Sequence, residues 1–264
     1  MTPMARALKE VKRPSDISAE EWETRIELAA CYRLVHKMGW ADHLATHISA
    51  RVPGPEDHFL LNPYGMMFDE ITASSLVKID VDGNIIGESN GYSVNPAGFV
   101  IHSAVHMAKP ELLCALHTHT YAGVGVSCQE GGLLPLSQMQ LVIWHELAYH
   151  DYEGAAEALD ERERIVADLG DRHMLILRNH GLMTVGETVG SAFVHMYKLE
   201  RACRMQLHAQ QAGAPLIELS DAVVSKTADQ GKRFADNKGH RPVGGPEWDA
   251  FKRMLDREDQ GYKM

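Results

Sequence analysis

The apolar run Leu112–Leu116 ends in His117-Thr118-His119, and this junction constrains the chain more than any other segment. A short apolar run bounded by polar residues reads as a buried strand. Residues i and i+2 of a strand point to the same face, so both imidazoles can converge on one point. Imidazole is a common ligand of zinc and other first-row metals. The plainer alternative is two histidines at a strand terminus, each with a partner of its own.

The best candidate for a third ligand is His180 in Asn179-His180-Gly181-Leu182. It sits at a tight turn between the expected strands Met174–Leu177 and Leu182–Val185. Three histidines with an open position make a catalytic rather than a closed structural metal site. Simple turn chemistry, with Gly181 supplying an unusual backbone angle, is the alternative for this motif. His102 and His106 lie one turn apart on an expected helix, a spacing that also suits a metal. His47 alternates with apolar neighbours and can face a pocket. His195 and His208 read as helix-surface residues.

The other elements follow from local signals. Ser18 and Glu21 have capping-box spacing, and Trp22, Ile26, Ala29, Ala30, Leu34 and Met38 recur with helical period, so a helix is expected over 19–38. Short strands are expected at Thr46–Arg51, His58–Leu61, Leu76–Val81 and Asn84–Gly87, the last two joined by a two-residue turn at Asp82-Gly83. Asn95-Pro96 opens a helix that ends before Pro110, and Thr120 caps a short one. A further strand is expected at Met139–Trp144, a helix over Ala155–Leu169, and a long helix from Glu187 to Gln211. Residues 214–264 turn polar and read as an extension with helical pieces, packing on the core or on a neighbouring subunit, after a main domain of 18–213. The chain end is expected to be disordered, although Tyr262 is a candidate site residue. Strands and helices intermix without strict βαβ alternation, which suggests an α/β fold with three layers around a mixed sheet.

Composition narrows the function. The chain has 264 residues, 26 Lys and Arg against 36 Asp and Glu, and a formal net charge of −10. That balance argues against nucleic-acid binding. No apolar run reaches the roughly 18–20 residues needed to cross a bilayer. Met1–Arg13 lacks the apolar core of a secretory signal. Four scattered cysteines suit a reducing compartment, so a cytoplasmic location is expected. The 15 histidines are the one unusual count. No GxSxG, P-loop or complete GxGxxG occurs.

Asn95-Pro96-Ala97-Gly98-Phe99-Val100-Ile101-His102-Ser103-Ala104-Val105-His106, then Leu116-His117-Thr118-His119-Thr120, then Asn179-His180-Gly181-Leu182 resemble the class II aldolase/adducin family. Thr46-His47-Ile48-Ser49-Ala50-Arg51, Leu61-Asn62-Pro63-Tyr64-Gly65 and Leu133-Leu134-Pro135-Leu136-Ser137 support the match, which runs from about residue 25 to 210. The resemblance implies an α/β/α sandwich with a mixed, mostly antiparallel sheet. It implies a divalent metal on His117, His119 and His180, usually zinc, with manganese or iron as alternatives. It implies a homo-oligomer, often a tetramer, with the site near a subunit interface. Substrate would be bound around His47, Asn62, Tyr64 and Gly65.

Two departures shape the expected reaction. The acidic residue of the sugar-phosphate aldolases lies four positions before the helix histidine, and here that position is Gly98. Positions that grip phosphate in those enzymes match His47, Tyr64, Pro96 and Ala97, and Pro and Ala side chains offer no hydrogen-bond donors. The resemblance therefore points to the adducin-like, bacterial-type branch. The expected function is a metal-dependent lyase working through a metal-stabilised enolate. The reaction would be aldol cleavage or decarboxylation of a small non-phosphorylated oxo, hydroxy or aromatic acid. His102, the catalytic candidate, or His47 would contact a carboxylate or move a proton. A non-catalytic adducin-like scaffold and an oxygen-using iron enzyme are the alternatives. Animal adducins of the family lack the full ligand set, whereas this chain keeps all three histidines.

Overall fold

The computed structural model describes residues 13–54, 57–154, 161–235 and 243–264. Seven strands form one sheet: β1 (Ile48–Arg51), β2 (Phe59–Leu61), β3 (Val77–Ile79), β4 (Cys114–Thr118), β5 (Leu147–His150), β6 (Met174–Leu177) and β7 (Gly181–Gly186). Their spatial order is β3-β2-β1-β4-β7-β6-β5. All neighbours are antiparallel except the parallel pair β5 and β6. The helices are α1 (Ala19–Lys37), α2 (Pro96–Ala108), α3 (Tyr121–Ser127), α4 (Gln138–Leu141), α5 (Glu161–Leu169), α6 (Val189–Gln211), α7 (Asp221–Ala235) and α8 (Pro246–Asp256).

Helices α1, α3 and α6 cover one sheet face, and α2 and α5 cover the other. The α/β/α sandwich with a mixed, mostly antiparallel sheet is therefore the fold. Strand alternation sorts the core accordingly. Cys114, Leu116, Met174, Ile176 and Leu182 join the cluster beneath α1 and α6. Ala115, Leu175, Leu177, Met183 and Val185 join the cluster beneath α2 and α5.

Several local expectations need correction. Ser18 Oγ accepts the Glu21 N–H at 3.0 Å, but the Glu21 carboxylate binds Arg25 and Lys78 instead of closing the capping box. The chain folds back after β3 as expected, yet Asn84–Gly87 forms only one isolated bridge, Ile79 with Ile85. The Asp80 carboxylate takes the N–H groups of Asp82 and Asn84, which uses backbone donors locally and ends the ladder. Met139–Trp144 is not a strand. Ser137 caps α4 by accepting the Met139 N–H, and β5 begins only at Leu147. A short apolar run does not by itself separate strand from helix. The first part of the helix expected over Ala155–Leu169, residues 155–160, lies outside the described residues, as do residues 1–12 of the N-terminal segment.

Within the extension, α7 packs on α4 and the turn Trp144–Glu146, while α8 packs on α1 and α6. The chain end is ordered, against expectation. Tyr262 is buried in the main core, its hydroxyl donates to Asp256 Oδ1 at 2.8 Å, and the carbonyls of Tyr262 and Met264 accept from Ala73 and Ser74.

One edge of the sheet gathers the candidate residues. Register pairs Ile48 with Leu116, Thr118 with Leu182 and Leu177 with Gly181. The start of β1 and the ends of β2, β4 and β6 therefore meet the start of β7 at that edge. His47, Asn62, His119 and His180 extend from those termini.

Candidate metal centre

His117 is the next-to-last residue of β4, His119 directly follows that strand, and His180 sits in the turn between β6 and β7. One ring nitrogen from each of the three lies within 4.8 Å of the others. This is the only such ligand group among the described residues. Ring centroids stand 4.6 Å apart for His117 and His119, 4.8 Å for His117 and His180, and 4.9 Å for His119 and His180.

Hydrogen bonds decide which nitrogen His117 and His119 offer. His117 Nδ1 lies 3.0 Å from the Leu182 carbonyl, which only accepts, so Nδ1 carries the proton. His119 Nδ1 lies 2.9 Å from Asp42 Oδ2 and donates likewise. Both Nε2 atoms therefore bear lone pairs, and they face each other at 2.9 Å. Two lone pairs at that distance repel unless a cation lies within reach of both. A histidine oriented through its other nitrogen by a carboxylate or carbonyl is the usual support for a metal ligand. Burial and the neighbouring imidazoles hold His117 well below the ordinary histidine range, and burial with His119 brings His180 down to about 4. Neutral rings are what a divalent cation requires. The donor set fits such a cation.

The turn before β7 differs from the simple expectation for Gly181. The left-handed residue is Asn179, at φ 55°, a conformation asparagine tolerates. Gly181 supplies room instead: a Cβ there would stand 2.5 Å from the Thr118 carbonyl oxygen and 3.2 Å from His119 Cδ2.

Beneath α2 lies a second, buried histidine group. His47, Ser49 and His117 occupy the same sheet face as Ala115. Ser49 Oγ sits 2.7 Å from both His102 Nδ1 and His106 Nε2. The His47 ring stands 4.2 Å from that of His102 and 5.8 Å from that of His117. His102 and His106 thus bracket a serine rather than a metal, which corrects the metal-ligand alternative for this pair.

Asn62, Tyr64 and Gly65 follow β2 at the same sheet edge. Asn62 is buried, and its Oδ1 accepts from the Tyr32 hydroxyl at 2.9 Å. Tyr64 is exposed, with its backbone N–H held by the Ser93 carbonyl. Gly65 has φ 104°. His195 is not a surface residue: it is buried, and its Nδ1 donates to the Val185 carbonyl at 2.9 Å. It lines a broad cavity between the core and α7–α8 at the opposite sheet edge, away from the triad. Asp42 and Ser49 are the residues that sequence reasoning missed. Neither carries a local signal, because each meets its histidine only through the folded sheet.

A family model described as "Class II Aldolase and Adducin N-terminal domain" matches residues 26–207. A Caulobacter vibrioides protein named "Putative aldolase class 2 protein" is 49% identical over 256 residues, covering 97% of this chain and 98% of that one. Alpha-adducin of Rattus norvegicus is 40% identical over 248 residues, which are 90% of this chain but 33% of that longer protein. The crystal structure of an aldolase II superfamily protein from Pseudomonas syringae superposes with a TM-score of 0.87 at 48% identity, covering 94% of this chain and 98% of the other. An L-fuculose 1-phosphate aldolase from Glaciozyma antarctica gives 0.76 at 29% identity, covering 94% and 96%. The family model covers most of the chain and the relatives match it over nearly its full length, and the chain belongs to the class II aldolase and adducin family.

Proposed function

We propose that this protein is a metal-dependent lyase that breaks a carbon–carbon bond next to a carbonyl, by aldol cleavage or decarboxylation. Its substrate is a small, non-phosphorylated oxo or hydroxy acid, or an aromatic one. The observation that carries the reading is the pair of Nε2 lone pairs, on His117 and His119, turned toward each other and toward His180. His117, His119 and His180 would hold a divalent cation, zinc above manganese or iron, which would supply Lewis-acid chemistry for an oxygen that gains negative charge as the bond breaks.

The remaining work falls to the chain itself. Asp42 and the Leu182 carbonyl keep two imidazoles oriented before any ligand arrives. His102 is the catalytic candidate for proton movement, with His47 beside it. Asn62, Tyr64 and Gly65 form the substrate-binding rim after β2. A phosphate is disfavoured because the sequence has Pro96 and Ala97 at the positions matching phosphate-gripping residues, and these residue types offer no side-chain donor. The L-fuculose 1-phosphate aldolase relative therefore supports the reaction class rather than its substrate. The similarity to alpha-adducin keeps a scaffold role as the second reading. Full retention of three convergent histidines favours chemistry.

Protein purified without chelator is expected to carry stoichiometric metal that His117→Ala and His119→Ala lose. A panel of hydroxy-, oxo- and aromatic acids, monitored for both aldehyde and CO₂, then separates the two reactions. A folded protein that takes up no metal in metal-replete buffer sinks the reading. Size-exclusion chromatography with light scattering tests the homotetramer that this reading includes. No helix among the described residues is long and apolar enough to cross a membrane.

A further inference from the structure

We propose that Ser49 and His106 are positioning residues that lock His102 in one tautomer, so that its Nε2 presents a bare lone pair and accepts a substrate hydroxyl. The role rests on the lyase reading above; the tautomer itself does not.

The argument runs along one chain of hydrogen bonds. The Leu112 carbonyl can only accept, so His106 Nδ1, 3.1 Å away, carries a proton. Burial takes His106 down to about 4, so the ring is neutral near pH 7 and its Nε2 is an acceptor. Ser49 must then donate its one hydroxyl proton to His106 Nε2 at 2.7 Å. Having spent that proton, Ser49 Oγ can only accept from His102 Nδ1, also at 2.7 Å. The proton of His102 is thereby on Nδ1, and Nε2 is bare. A single backbone carbonyl sets the direction of all three bonds, and no second arrangement satisfies them with both rings neutral.

His102 Nε2 is buried and has no hydrogen-bond partner among the described residues. Leaving such an atom unpaired is unfavourable, and a ligand donor relieves it. The His102 ring packs on His47, which in turn neighbours His117, so the bare nitrogen belongs to the histidine group that reaches the triad. A lone pair repels a carboxylate and attracts an O–H. His102 is therefore suited to a hydroxyl and not to the carboxylate contact that the sequence also allowed. It can take the hydroxyl proton as the C–O bond becomes a carbonyl and the electron pair of the breaking carbon–carbon bond moves toward the substrate's own carbonyl. That sequence is aldol cleavage: the bond breaks to a carbonyl product and an enolate, a solvent proton then adds to the enolate carbon, and His102 returns its own proton to solvent.

Neutron diffraction of the full-length protein near pH 7 reads the tautomer directly, without metal or substrate. Deuterium is expected on His102 Nδ1 and not on Nε2; the reverse overturns the proposal. In His106→Leu, the remaining buried acceptor for Ser49 is His102 Nδ1, so the His102 tautomer is expected to invert. In Ser49→Ala the tautomer preference is expected to relax to a mixture, followed by ring 15N shifts assigned with His102→Gln. An unchanged tautomer in both folded variants overturns the proposal. Metal content separates the two readings. Both variants are expected to bind as much metal as the parent, and loss of metal in both shows that the pair holds the triad and not the tautomer. A parent protein that binds no metal, with deuterium on Nδ1, defeats the lyase reading while the tautomer lock stands.

Discussion

Asp42 Oδ2 and His119 Nδ1 meet at 2.9 Å across 77 residues of sequence. The carboxylate sits in the loop after α1, and the imidazole follows β4. The contact leaves Nε2 of His119 free and aims it at His117 and His180.

Asp42→Asn keeps the shape but lets the amide present either a donor or an acceptor to Nδ1. Metal affinity is expected to fall about 10–100-fold, the usual cost of losing such a partner. Competition with a chromophoric chelator measures it. An unchanged affinity would remove Asp42 from the site.

Gly181→Ala would push a methyl group to 2.5 Å from the Thr118 carbonyl oxygen. Backbone on both sides must shift at the β4–β7 junction. A stability loss of about 1–3 kcal/mol is expected, together with weaker metal binding, because the same shift displaces His119 and His180. Urea unfolding and chelator titration of the same sample check both. Full stability with normal metal affinity contradicts the packing argument.

Acid stability follows in part from two of the buried histidines outside the triad, His106 and His195. Burial takes His106 and His195 down to about 4, whereas the unfolded rings titrate at ~6.5. Between those values the unfolded chain binds more protons, so stability falls as pH drops from about 6.5 toward 4 and levels for these groups below that. Each contributes a slope of about 1.4 kcal/mol per pH unit in that window. His195→Gln, which can still donate to the Val185 carbonyl, is expected to lower the slope by about one proton. Urea midpoints at pH 7 and pH 5 decide the matter, and an unaltered slope counts against a neutral buried His195.

Helix α7 rests on the core at Gly231, where a Cβ would lie 2.1 Å from the Val142 carbonyl oxygen. Gly231→Ala is expected to loosen α7 while leaving the triad's metal content unchanged. Limited proteolysis should then cut between Gly213 and α7 faster than in the parent. Equal cleavage rates would show that α7 docks by other contacts.

Much of the site was legible because its signals are local. His117 and His119 share a face through the two-residue period of a strand, and Asn179-His180-Gly181 announces a tight turn. The same locality misled where the signal was weak: Met139–Trp144 has the apolar content of a strand, but the Ser137 cap makes its start a helix. Tyr262 looked like part of a polar tail because its neighbours are polar, yet its ring fills the main core.

The sequence by itself determined the shared face of His117 and His119, the tight turn that carries His180 and the missing acid at Gly98. Each depends on residue type and spacing within a few positions. Only the tertiary structure decided which nitrogen His117, His119, His102 and His106 each offer. Asp42, Leu182, Ser49 and Leu112 set those protons from other strands and loops. A hydrogen bond's direction depends on the partner brought alongside, and the order of strands in the sheet chooses that partner.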